Sequence, residues 1–316
     1  MVMKFYQRGI VCVLLLLFSI AKSNEPVAET EEPTLDDYYQ VGQALFDAFA
    51  PPEIKAQFEF PTPQQWMEFA NRFQNALQGD SLEDLIVYEP EARAALIALR
   101  AMEGYEDYAE WLEERLDYID AAKQVTPVAP RPPAVQPKKQ LAEEIPHLEL
   151  WRDRMHTRAV PSRAAKLVPK LRAIFADEGM PPDLVWLAEA ESSFNPKARS
   201  PVGARGLFQF MPATAKEMGL RTFLPDEREN PEKSARAAAR YLRQLYQRFE
   251  SWPLALAAYN AGGGRVNRTL NTQRATTFAE ISDALPAETR MYVPKVLATM
   301  EARAGTSWLK LPAPRG

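Results

Sequence analysis

Five prolines fall between Val125 and Pro137, in the run VTPVAPRPPAVQP. No helix interior or central strand tolerates that spacing, because proline lacks an amide donor and clashes with the preceding turn. Residues 122–145 therefore read as an extended, semi-rigid linker. The linker falls where the charge of the chain changes sign. Residues 24–121 hold 23 Asp and Glu against 5 Lys and Arg, net −18, whereas residues 122–316 hold 19 against 30, net +11; the whole-chain value of −4 conceals both. Two arrangements are open: the halves dock through opposite charge, or each keeps a solvated face of its own sign. In either case the basic half favours an anionic polymer.

Both halves are punctuated as helices. Upstream, EARAALIALRAM from Glu91 and YAEWLEERL from Tyr108 carry apolar residues at helical spacing. Residues 24–121 are expected to form a helical accessory module whose Trp66 and Trp111 fill a core rather than a binding site. Downstream, Leu167, Leu171, Ile174 and Phe175 mark one apolar face, Gly179 closes that element, and Pro182 and Asp183 open the next. Asn230 and Pro231 make an N-cap followed by proline at the first helical position. A further helix starts at Ser251 and ends at Gly262. With few β-branched clusters and no alternating runs, the fold class is all-α.

The chain opens as an exported one does. Lys4 and Arg8 precede the apolar run Ile10–Phe18, and Ala21 and Ser23 supply the small residues a signal peptidase reads. Residues 1–23 are thus expected to be a signal peptide, with an uncleaved membrane anchor as the alternative. The single cysteine, Cys12, lies inside that run. No disulfide, thiolate nucleophile or thiolate metal ligand is expected beyond it.

The stretch EAES at 189–192 places two carboxylates where a helix breaks before Pro196. On a helix starting near Asp183, Leu184 and Leu187 mark the inward face, and Glu191 falls on it. Glu189 points about 200° away and is expected on a solvated surface. An inward carboxylate is costly unless a site uses it, and desolvation would raise its pKa toward what a general acid needs near neutrality. His147 and His156 have no partners at ligand spacing, so neither a metal site nor a Ser–His triad is expected.

Four motifs then occur in order: Glu191-Ser192, Gly206–Ala215 (GLFQFMPATA), Ala257–Gly262 (AAYNAG) and Glu288–Val293 (ETRMYV). Together they resemble the successive motifs of family 1 lytic transglycosylases, the SLT domain, and most nearly those of the membrane-bound murein transglycosylase D type. The resemblance covers about residues 146–305, leaving residues 306–316 as a tail. It implies a goose-lysozyme-like helical domain that cleaves the MurNAc–GlcNAc β-1,4 bond of peptidoglycan and leaves 1,6-anhydro ends. It further implies Glu191 as the catalytic acid and base, with Ser192, Gln209, Met211, Tyr259, Asn260, Glu288 and Tyr292 around the sugar or the acid. Glu288 stays ambiguous between a helix N-terminal charge, a substrate contact and a second catalytic carboxylate. Phe208 departs from the methionine common in the second motif and is expected to alter groove packing. The D type commonly carries wall-binding repeats after its catalytic domain, whereas this sequence continues from Gly305 only as a short tail to Gly316.

The resemblance implies no cofactor, no metal and no nucleic acid. The expected partner is the peptidoglycan glycan strand, met in the periplasm or cell envelope by a monomer, with membrane association left open. Every residue named for the groove lies after Pro146, so residues 146–316 are expected to work alone. A lysozyme-type hydrolase and a non-catalytic glycan-binding protein are the competing classes.

Overall fold

A computed structural model of the chain describes residues 72–101, 105–125 and 144–315. Residues 1–23, expected to be a signal peptide, lie outside the described residues together with Trp66 and most of the proline-rich linker. Everything described belongs to one compact unit, Glu59–Gly316.

The architecture is all-α. Upstream of the linker come α1 (Leu82–Val87), α2 (Glu89–Ala101) and α3 (Glu106–Val125). Downstream follow α4 (Leu148–Thr157), α5 (Ala164–Asp177), α6 (Leu187–Ser192), α7 (Pro212–Glu217), α8 (Pro231–Phe249), α9 (Trp252–Ala261), α10 (Gly263–Gln273), α11 (Phe278–Ile281) and α12 (Ala287–Ala304). Among the described residues the only β pairing is two isolated bridges, Arg199 with Arg205 and Arg205 with Phe210. None of the described helices is long and apolar enough to cross a membrane.

Local chemistry fixes the helix starts. The Asn230 side chain accepts from the amides of Glu232 and Lys233, satisfying two donors that the first turn of α8 leaves free, and Pro231 presets the following φ. The Ser251 hydroxyl caps α9 through the Leu254 amide in the same way. Thr277 and Glu280 form a reciprocal capping box on α11.

At the centre lies α12, buried at every position from Ala287 to Met300. A helix enclosed on all sides is expected to be apolar, yet this one carries Glu288, Arg290 and Lys295. Each has a partner, as buried charges require. Arg290 donates to the carbonyls of Asp80 and Asp283. Lys295, 1% exposed, meets Glu114 at 2.5 Å and Asp117 at 3.1 Å, both from α3. Arg158 and Ser193 complete the cluster on Glu114, at 2.8 and 2.6 Å.

These contacts decide between the two charge arrangements for the described residues. The acidic helix α3 docks on the basic body through buried and half-buried ion pairs. Burial opposes ionisation of Asp117, but Lys295 and Arg158 overcome it and hold its pKa at about 2.

Candidate active site

The Glu191 question is answered by how α6 ends. Pro182–Trp186 forms a 3-10 turn, α6 adds six residues, and the chain then leaves through Ser193 at φ 48° and Phe194 at φ 59°. A left-handed phenylalanine is strained, and strain of this kind persists only when its surroundings hold it. Here the buried Phe194 ring packs edge-on against Trp186 at 5.5 Å. The break leaves Glu191 in the last turn, at the base of a groove.

Glu191 is 8% exposed, and its Oε1 accepts a hydrogen bond of 2.5 Å from the Tyr292 hydroxyl. Burial raises its pKa to about 7, against the opposing pull of the Tyr292 hydrogen bond and the Arg115 charge. Desolvation dominates, so near neutrality the carboxyl still carries its proton. Burial also pushes the phenols of Tyr292 and Tyr259 well above the ordinary tyrosine value. Both remain neutral donors.

Glu189 is corrected by the structure. It is 2% exposed, not solvated, and pairs bidentately with Arg303 at 2.7 and 3.0 Å. Arg303 of α12 covers it, so Glu189 lies in the core rather than on a solvated surface. Its charge anchors α6 rather than facing the groove.

The groove has a volume of about 420 Å³. Among the residues singled out from sequence, Glu191, Gln209, Met211, Tyr259, Asn260 and Glu288 line it together. Ser192 and Tyr292 stand behind this surface. The Ser192 hydroxyl donates to the Leu207 carbonyl at 2.9 Å rather than to Glu191, and the Tyr259 hydroxyl donates to the Phe208 carbonyl at 2.8 Å. Two motifs thus hold the backbone of a third against the acid. Asn260 accepts from Thr289 at 2.6 Å, Met211 is 42% exposed, and Phe208 lies in the core against Phe175 rather than in the groove.

The loop carrying Gln209 is wound around a buried arginine. Arg228 donates to the carbonyls of Gly203 and Phe210 at 2.9 and 3.0 Å while Asp226 neutralises it at 2.6 Å. Gly206 passes this site at φ 79°, where an added Cβ would lie 1.9 Å from the Arg228 carbonyl oxygen. Gly206→Ala is therefore expected to cost up to about 3 kcal/mol through backbone strain and to lower activity as the Gln209 loop shifts. Urea unfolding of the variant checks this; an unchanged midpoint would show that the loop has room.

The other wall was missed from sequence. Gln74, Gln78, Trp111 and Arg115, all upstream of the linker, line the same groove. Trp111 is half-buried, packing on the core while facing the groove, so the choice between core and binding residue was a false one. The available signal was Arg115, one of five cations among 23 carboxylates in residues 24–121 and four residues after Trp111. Among the described residues no cluster of His, Cys, Asp and Glu is placed to hold a metal ion.

Comparison with known proteins bears on this groove. A family model, the transglycosylase SLT domain, matches residues 172–282, a span holding Glu191, Gln209 and Tyr259. Over that span, about a third of the chain, the sequence is similar to the transglycosylase SLT domain. Over 125 residues it is 40% identical to the membrane-bound lytic murein transglycosylase D of Escherichia coli strain K12, covering 38% of this chain and 27% of that protein. Over 120 residues it is 41% identical to the soluble lytic murein transglycosylase of Salmonella typhimurium, covering 35% and 19%. The alignments therefore span about a quarter or less of these relatives. Among solved structures, the 70 kDa soluble lytic transglycosylase of Escherichia coli aligns at 18% identity and TM-score 0.39, over 90% of this chain and 60% of that one. So distant a likeness adds nothing to the site. The SLT match ends before α12, so Glu288, Tyr292 and the α3 wall lie outside it.

Proposed function

We propose that the chain is a peptidoglycan lytic transglycosylase that cleaves the MurNAc–GlcNAc β-1,4 bond and leaves a 1,6-anhydro-muramyl end. The reading is carried by one observation: a buried carboxyl that keeps its proton to about pH 7, held by a neutral phenol at the base of a groove. Glu191 donates that proton to the glycosidic oxygen as the bond to C1 breaks. The resulting carboxylate takes the proton of the C6 hydroxyl of the same muramyl residue, and O6 closes on C1. The intramolecular nucleophile supplies a high effective molarity and needs no bound water. A second carboxylate to activate water, as in inverting glycosidases, is then unnecessary. Glu288 is already paired with Arg115 at 3.1 Å.

Gln209, Met211, Tyr259 and Asn260 contact the sugars in this reading, while Ser192 and Tyr292 position the loop and the acid. The leader at residues 1–23 supports export to the periplasm or cell envelope, where the substrate lies. The net +11 of residues 122–316 suits an anionic wall polymer. The similarity to the D type and to the soluble enzyme is nearly equal, so the proposal rests on the SLT domain and not on a type within the family.

The pH profile tests the acid. Only the protonated enzyme can start the reaction, so kcat/KM on soluble glycan strands is expected to be flat below about pH 6 and to fall tenfold per unit above about pH 7. A rate that rises through pH 7 would make Glu191 a base in the free enzyme and contradict the mechanism.

A further inference from the structure

Glu191 is faced by charged and titratable groups from three helices: Tyr292, Glu288 and Lys295 of α12, Arg115 and Tyr118 of α3, and Tyr259 of α9. Burial keeps the three phenols neutral. Lys295 is matched by Glu114 and Asp117. Arg115 and Glu288 remain, and they form a pair of their own.

That pair is built at some cost. Arg115 is 9% exposed, with Nη2 3.1 Å from Glu288 Oε1 and the guanidinium 5.0 Å from the Trp111 ring centroid. Among the described residues its Nε and Nη1 are buried without an acceptor. Of five guanidinium donors, the three on those nitrogens therefore find no match among the described residues. A buried ion pair is weak evidence for stability, and unmatched donors make it weaker still. The cost therefore points to a use at the site. Gln78, also upstream, adds a 3.5 Å hydrogen bond to the other Glu288 oxygen.

We propose that the Arg115–Glu288 pair is a positioning pair that sets how readily Glu191 gives up its proton, so that a helix outside the SLT match completes the catalytic site. The inference rests on Glu191 acting as the acid. Once its proton has gone to the leaving oxygen, Glu191 is a carboxylate in a desolvated groove beside Glu288. Arg115 keeps the two carboxylates from facing one another uncompensated. Neither member of the pair need touch the reacting atoms to do this.

Removing one partner exposes Glu191 to the charge of the other, and the two removals act in opposite directions. With purified full-length chain and soluble uncrosslinked glycan strands, the alkaline limb of kcat/KM is expected to move up by about one pH unit in Arg115→Met and down by about one unit in Glu288→Gln. The double variant is expected to return close to the wild-type position, because the net charge is restored. A general structural defect would lower the profiles without moving their limbs in opposite directions. Arg115→Lys keeps the charge, so its limb stays near wild type even if packing against Trp111 suffers. Single variants whose limbs stay put, or move the same way, would overturn the pair's role while leaving Glu191 as the acid. A Glu191→Gln enzyme that keeps its activity would instead overturn the acid assignment and the inference with it.

Discussion

Glu191→Gln is expected to lower glycan cleavage by about 10⁴-fold or more, while binding to sacculi survives. General acid–base assistance alone is typically about 10²–10⁴-fold. The expectation sits at the top of that range because one group serves as acid and then as base, and Glu288 is engaged by Arg115. Glutamine keeps the size of the side chain and can still accept from Tyr292, so the groove is preserved. The variant should also be more stable than wild type at high pH. The folded carboxyl has its pKa near 7 and an unfolded one near 4.5, so below pH 4.5 both states are protonated and the group is neutral to stability. Between those values the unfolded chain ionises while the folded one resists, and wild-type stability falls. Above pH 7 the loss reaches its full value, at most about 3 kcal/mol. Thermal melts at pH 5 and pH 8 separate the two effects: the stabilisation by Glu191→Gln should show at pH 8 and vanish as the pH falls toward 4.5. Equal melting temperatures at both would mean that Glu191 is not desolvated.

The second large effect concerns stability and comes from the docking cluster. Glu114→Ala leaves Lys295 buried with Asp117 as its one carboxylate partner among the described residues, and removes the acceptor of Ser193 and one of the two carboxylates that Arg158 meets. Breaking a buried pair from one side costs about 3–5 kcal/mol, because a desolvated charge is left behind. Urea unfolding should therefore give a midpoint far below wild type. Adding Lys295→Met to Glu114→Ala should recover part of the loss, since the stranded charge goes too. The same contacts predict that residues 146–316 alone, stripped of α3, fold poorly and lack one wall of the groove, contrary to what the sequence suggested. A stable, active fragment would show that α3 is dispensable.

What sequence could convey here follows from the range of each interaction. The helix starts at Asn230 and Ser251 rest on capping within a few residues, and local patterns report local hydrogen bonds. The inward turn of Glu191 was legible for the same reason: its phase against Leu187 is a property of one helix. Glu189 was misread because its exposure depends on α12, whose Arg303 lies 114 residues away. A helical phase states where a side chain points, not what waits there. The α3 wall was hidden by a similar gap, with Arg115 and Glu288 separated by 173 residues and the proline-rich linker. That linker suggested independence of the two halves, but a linker constrains the chain between elements and leaves open whether they touch.

The mass of the product tests the central claim most directly. Muropeptides released from isolated sacculi by the full-length chain are expected to carry muramyl ends lighter by one water than hydrolysed ends, because O6 of the same sugar replaces water at C1. The Glu191→Gln protein should release none above background. Products with the full hydrolysed mass would mean that water attacks C1, making the chain a lysozyme-type hydrolase and requiring a second group, with Glu288 the first to examine, to activate that water.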